Sequence, residues 1–223
     1  IDANNYNSIP GTYYKERLKE YDLVVASESV ASTNKFGIAL SNLVGKVPML
    51  NLKAFYYGSA SWNWASAINP TAGSTGWNQI IVSDAFKTHS LFKGINFDGT
   101  ITLFDGTAKT SNNVQSYTSP KEIIASDEVL ATNASNGYNA IHEHKQSNGK
   151  NGYILIPLSY AAIETLTPDA KTLITNAASY LAATKSEYTV PAQVENPVIS
   201  YDTDNNVTIS CPTHGATIYY SKD

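Results

Sequence analysis

Val47-Pro48-Met49-Leu50-Asn51-Leu52-Lys53-Ala54-Phe55-Tyr56-Tyr57-Gly58-Ser59-Ala60-Ser61-Trp62-Asn63-Trp64 opens as a buried strand and closes in a dense group of aromatic rings. Its apolar start has the near-continuous hydrophobicity of a strand covered on both faces. Upstream, residues 22–27 (Asp-Leu-Val-Val-Ala-Ser) read the same way. Between the two, Ser32 or Thr33 caps a helix that Gly45 closes. Strand, helix and strand within about thirty residues predict a βαβ unit with parallel strands and a right-handed crossover. Ligands of open α/β sheets bind beyond the carboxyl ends of such strands. The polar triplet Ser27-Glu28-Ser29 and Lys53 fall at those ends, so the site is expected there.

Outward from this unit, residues 11–20 read as a short helix, 59–68 as a short helix or turn and 69–76 as a loop. Strands are expected over 78–83, 100–104 and 123–131, a short helix within 84–94, and an exposed excursion over 105–120. Residues 138–145 and 153–158 form a hairpin with Gly149 and Gly152 in its turn. Thr167 caps the clearest helix, with Pro168 at its first position and Asp169 in its first turn. After a linker, short strands are expected over 197–201, 207–211 and 217–220, too few to bury a core alone. The expected organisation is an α/β domain over 1–186, a linker over 187–196 and a truncated β-sandwich fragment over 197–223. The first strand and helix of the α/β domain are expected ahead of Ile1, and further domains beyond the C-terminus.

Composition narrows the partners. The 223 residues are 42% hydrophobic, enough for a core, but only 15% charged. Asn, Ser, Thr and the 15 Tyr cover the surface instead, which favours an exported protein. A net charge of -4 and the lack of a basic run argue against nucleic acid. The single Cys211 excludes an internal disulfide. No apolar run approaches the roughly 20 residues of a membrane helix.

Four groups of residues carry candidate chemistry. Aromatic rings can stack on the apolar faces of sugars while their polar tips hydrogen-bond. Tyr56, Tyr57, Trp62 and Trp64, with Phe55 beside them, are the expected ligand contacts, and Ser159 joins them from the end of a later strand. The alternative is a loop packed against the sheet. Glu28 and Lys53 are the candidate catalytic pair, a base and an electrostatic stabiliser, or else a partly buried ion pair. His142 and His144 share one strand face with Glu143 on the other, short of a zinc set; no metal or cofactor is expected. His89 is expected to cap or pack its short helix, since no Gly-x-Ser-x-Gly accompanies it.

Tyr21-Asp22-Leu23-Val24-Val25, the strand over 48–53, Thr88-His89-Ser90-Leu91-Phe92-Lys93-Gly94, and residues 153–158 ahead of Leu166-Thr167-Pro168-Asp169-Ala170 resemble the trehalose-utilisation (ThuA-like) group of the class I glutamine amidotransferase-like superfamily. The resemblance covers roughly residues 1–185. It implies a flavodoxin-like three-layer α/β sandwich with a mostly parallel sheet. In amidotransferase relatives a Cys nucleophile sits on a Gly-flanked turn; here that stretch is Leu52-Lys53-Ala54-Phe55-Tyr56, without Cys, so amidotransferase activity is not expected. Pro197-Val198-Ile199-Ser200, Val207-Thr208-Ile209-Ser210 and the stretch from Gly215 resemble the opening of the chitobiase/β-hexosaminidase C-terminal-type β-sandwich, which accompanies secreted bacterial carbohydrate-active proteins. The expected function is therefore a secreted, periplasmic or cell-surface carbohydrate-associated protein that binds a glycan or small polar ligand. The alternatives are a hydrolase or isomerase acting on a sugar derivative, and a non-catalytic interaction domain of a larger protein.

Overall fold

A computed structural model of the chain describes residues 18–33, 35–68, 77–105, 114–159, 165–187, 197–203 and 206–211. Most of the helix expected over 11–20, the loop over 69–76 and the strand over 217–220 lie outside the described residues. The chain divides into two compact units, Ile1–Ser186 and Glu187–Asp223.

In the first unit, nine strands of the described residues join one sheet: β1 (Val24–Ala26), β2 (Met49–Asn51), β3 (Ala65–Ile68), β4 (Gln79–Val82), β5 (Thr100–Thr102), β6 (Tyr117–Pro120), β7 (Glu128–Asn133), β8 (Asn139–His144) and β9 (Tyr153–Leu155). The order across it is β1-β2-β9-β8-β7-β4-β5, with β6 paired to β8 and β3 to β6. The pairs β1/β2 and β2/β9 are parallel. Every other described pair is antiparallel. This sheet-rich, mixed arrangement corrects the expected mostly parallel flavodoxin-like sandwich. A parallel neighbour needs a crossover of about a dozen residues or more. The connections over 134–138 and 145–152 are too short, so β7, β8 and β9 must reverse direction at each step. The described α-helices are α1 (Lys35–Ala39), α2 (Glu122–Ala125) and α3 (Pro168–Ala182), and only α3 exceeds two turns.

Local expectations fare unevenly. Residues 59–68, expected as helix or turn, contain β3. Residues 105–120, expected as an exposed excursion, contain β6, and Val114, Gln115, Ser116 and Tyr117 are buried. Residues 123–131 divide between α2 and β7. The hairpin forms, with β8 antiparallel to β9. The helix after Ser32 is α1 continued by a 3-10 turn, Leu40–Leu43, and Gly45 adopts φ 78°, the left-handed conformation that glycine reaches most cheaply.

Side chains of β2 and β9 alternate between two apolar clusters, as a two-residue period requires. Leu50 and Ile154 point into one with Leu173, Ala177 and Leu181 of α3. Met49, Tyr153 and Leu155 point into the other with Leu40, Leu43, Tyr57, Trp62 and Trp64. The first turn of α3 is anchored by Thr167, whose hydroxyl accepts from Ala170 N at 3.0 Å and donates to Thr102 O at 2.7 Å. In the second unit, β10 (Val198–Tyr201) and β11 (Val207–Ser210) pair antiparallel, with Val198, Ile199, Tyr201 and Val207 exposed. No helix of the described residues is long and apolar enough to cross a membrane.

Leu173 is fully buried where α3 meets the sheet. Leu173→Ala is expected to cost about 2–5 kcal/mol, as large-to-small core substitutions do. Urea denaturation monitored by tryptophan fluorescence measures it, and a loss below about 0.5 kcal/mol would contradict this packing.

Candidate functional site

The parallel strands β1 and β2 deliver Glu28 and Lys53 to the same edge. Residues 27–29 leave the sheet just after β1, and Lys53 follows β2 by two residues, so both side chains emerge beyond carboxyl ends. Lys53 Nζ donates to Glu28 Oε1 at 3.0 Å and to the Glu28 carbonyl at 2.6 Å. Gln115 Nε2 reaches the same Oε1 at 3.4 Å. All three side chains are buried, at 4%, 8% and 3% exposure for Glu28, Lys53 and Gln115. A charge pair this deep persists only where the partners compensate each other's lost hydration.

The compensation stops short of completion. Glu28 Oε2, Gln115 Oε1 and the Tyr56 hydroxyl are buried and meet no hydrogen-bond partner among the described residues. Burial, reinforced by the nearby Glu28 charge, pushes the Tyr56 phenol up to about 12. An unsatisfied buried acceptor costs about 1–3 kcal/mol, so two acceptors and a hydroxyl left open together are unusual. Tyr56 and Ser27 also line a cleft of about 320 Å³ beside β1, walled by Val24, Val30, Phe36 and Leu40. The Tyr56 ring is held close by Gly37, where even a Cβ atom would stand 2.5 Å from its Cε1.

The aromatic residues separate by role. Trp62 and Trp64 are buried, with centroids 4.8 Å apart, and Trp62 stacks on Tyr56 at 5.1 Å and 6°. Trp62 Nε1 donates to the Gly37 carbonyl at 2.8 Å. Their ring faces are covered by protein, which corrects the expectation of open sugar-stacking platforms at Trp62 and Trp64. Tyr57 is also core. Ser159 is buried just past Leu158, whose N–H continues the β2 ladder to Leu52 O at 3.0 Å.

Behind this edge runs a second polar assembly, each member of which is bonded to the next. Lys53 N–H donates to Asn51 Oδ1 at 2.9 Å, which turns Asn51 Nδ2 toward the Tyr153 hydroxyl, also 2.9 Å away. Tyr153 and Tyr57 hydroxyls lie 2.9 Å apart, and Tyr57 meets His142 Nδ1 at 2.7 Å. His142 Nε2 and His144 Nδ1 both reach Asp127, at 2.9 and 2.7 Å. Burial pushes the Asp127 carboxyl up, but the hydrogen bonds from His142 and His144 outweigh it and hold the group below its ordinary value. Asp127 is thus an acceptor to both rings, so neutral His142 carries its proton on Nε2 and accepts from Tyr57. On the opposite face of β8, Glu143 Oε2 lies 3.2 Å from His89 Nε2 and 3.3 Å from Lys145 Nζ. His89 Nδ1 caps its 3-10 turn by accepting from Leu91 N at 3.3 Å.

Structure thus joins Glu28 with Lys53 and sets Tyr56 beside them, while Tyr57 and the tryptophans serve the core. Sequence reasoning missed Gln115, Asp127 and Tyr153. Gln115 and Asp127 stand alone in unremarkable stretches, and only their spatial neighbours reveal them. No known protein family model matches the chain, and no curated protein matches it either.

Lys53→Met leaves the Glu28 carboxylate buried without its cation, an uncompensated charge worth about 3–5 kcal/mol. Urea denaturation should show that loss, with most of it regained in Glu28→Gln/Lys53→Met. The two histidines have opposite pH signatures. Burial holds His142 below its ordinary 6.5, so the stability tied to its neutral form is lost as pH falls below 6.5. Hydrogen bonding to Asp127 raises His144, so its contribution is complete below 6.5 and lost as pH rises through its folded value. The stability gap between wild type and His144→Gln should therefore narrow as pH climbs above 6.5; a constant gap would contradict the assignment.

Proposed function

We propose that the first unit binds a small, neutral, polyhydroxylated ligand such as a glycan fragment, as part of a secreted carbohydrate-associated protein. The observation that carries the reading is the trio of buried polar atoms without a hydrogen-bond partner among the described residues, Glu28 Oε2, Gln115 Oε1 and Tyr56 Oη, beyond the carboxyl ends of β1 and β2. Two of these only accept, so a ligand that donates hydrogen bonds satisfies them. Lys53 and Glu28 cancel in charge, so a neutral donor fits better than an ion. Hydroxyl groups combine both properties. Binding rather than amidotransfer is favoured because Lys53, Ala54 and Phe55 occupy the turn after β2 where a Cys nucleophile would stand. A composition rich in Asn, Ser and Thr supports export.

The test separates stability from binding. Tyr56→Phe deletes a buried hydroxyl without a partner, so the ligand-free protein is expected to hold or gain stability, by up to about 1 kcal/mol. The same variant should weaken a sugar or polyol that raises the wild-type melting temperature by about tenfold in Kd. A panel of small sugars and polyols in a thermal-shift screen, followed by calorimetry on the hits, decides it. No shift across the panel would overturn the ligand reading in favour of a non-catalytic interaction domain.

A further inference from the structure

The assembly behind the site has a single direction. Lys53 N–H occupies Asn51 Oδ1, so Asn51 Nδ2 must donate to Tyr153. Asp127 accepts from His142 Nε2, so Nδ1 of neutral His142 must accept from Tyr57. The Tyr57 proton being spent there, Tyr57 oxygen accepts from Tyr153. Every bond from Asn51 through Tyr153 and Tyr57 to His142 and Asp127 therefore points the same way. Asn51, Tyr57, His142 and Tyr153 are all fully buried, so no water can absorb a mismatch along the line.

We propose that this line is a polarity switch: a proton bound at His142 Nδ1 reverses the hydrogen bonds as far as Asn51 and releases the backbone of Lys53. The steps follow from donor and acceptor counts. Protonated His142 donates from both nitrogens, so Tyr57 oxygen becomes its acceptor and the Tyr57 proton turns to Tyr153 oxygen. The Tyr153 proton then needs an acceptor, and of the hydroxyl's described partners Asn51 supplies one by turning its amide to present Oδ1. Asn51 Nδ2 now faces the Lys53 N–H, donor against donor, and the 2.9 Å bond that fixed Lys53 is lost. Lys53 is the residue that holds Glu28 by its side chain and its carbonyl.

The groups facing His142 set when the switch acts. Asp127 from the segment before β7 attracts the proton, and Glu143 on β8 adds weakly; His144 on β8 opposes it. Tyr57, Tyr117 of β6 and Tyr153 of β9 surround the ring, all with phenols raised by burial and so neutral. Burial prevails over Asp127, which places the switch on the acid side of 6.5. Its consequence for ligand, a weaker grip at acid pH, rests on the proposed site; the switch itself does not.

The experiment uses the ligand-free protein, so its outcome is independent of the thermal-shift screen. In isotope-labelled protein, the His142 imidazole and the Lys53 amide are followed by NMR from neutral to acid pH. The Lys53 resonance should move with the His142 midpoint, and its exchange protection, corrected for intrinsic rate, should fall roughly tenfold on His142 protonation. In Tyr153→Phe the line is cut and Lys53 should cease to follow His142. Tyr57→Phe provides the same test should Tyr153→Phe not fold. A Lys53 amide that ignores the His142 titration, or follows it equally in these variants, overturns the proposal. So does a His142 that stays neutral down to the acid unfolding transition.

Discussion

Polar side chains thread the interior of this sheet, and the packing around them is tolerable because each of them finds a hydrogen-bond partner. Asn51, Tyr153, Tyr57, His142 and Asp127 lie among the rings of Trp62, Trp64 and Tyr117, where a stranded N–H or O–H has no solvent to turn to. That requirement ties together β2, the turn that carries Tyr57, β8, β9 and the segment before β7. It dictates the Asn51 amide orientation, the His142 tautomer and the charge of Asp127 in one stroke. It also explains why His142 and His144 share Asp127 instead of facing solvent.

The contrast with the neighbouring cluster is informative. Only a few residues separate the two, yet each member of one has a partner, while among the described residues the other leaves Glu28, Gln115 and Tyr56 each with a buried atom that has none. Unsatisfied atoms are a stability cost that functional sites commonly carry.

Legibility in the sequence followed the range of the forces involved. Helix α3 was readable because Thr167, Pro168 and Asp169 act locally on the first turn. The parallel pairing of β1 with β2 was readable because a helix-length segment separates them. The strands at 79–82 and 100–102 and the hairpin of β8 with β9 were readable as well, but β3 (Ala-Ser-Ala-Ile) and β6 (Tyr-Thr-Ser-Pro) were not, since they lack the β-branched runs of independent strands and owe their pairing to each other and to β8. At the site, the strand-end rule singled out Glu28 and Lys53. It could not find Gln115, 62 positions beyond Lys53 with no motif about it, nor tell that Trp62 and Trp64 turn inward. An aromatic cluster looks the same in one dimension whether its rings face sugar or one another.

Gly37 carries a consequence for the history of such a sequence. Its missing side chain is what lets the Tyr56 ring lie against the α1 backbone, and its carbonyl holds Trp62. Neither neighbour is free to drift alone: a methyl at 37 demands a smaller ring at 56, and a smaller ring strands Trp62 without its stacking partner. Among homologous chains these three positions should covary, with glycine at 37 wherever an aromatic stands at 56. Tyr56 is then inherited as part of a packing unit, its ring constrained from both sides by Gly37 and Trp62, while its hydroxyl is not so constrained.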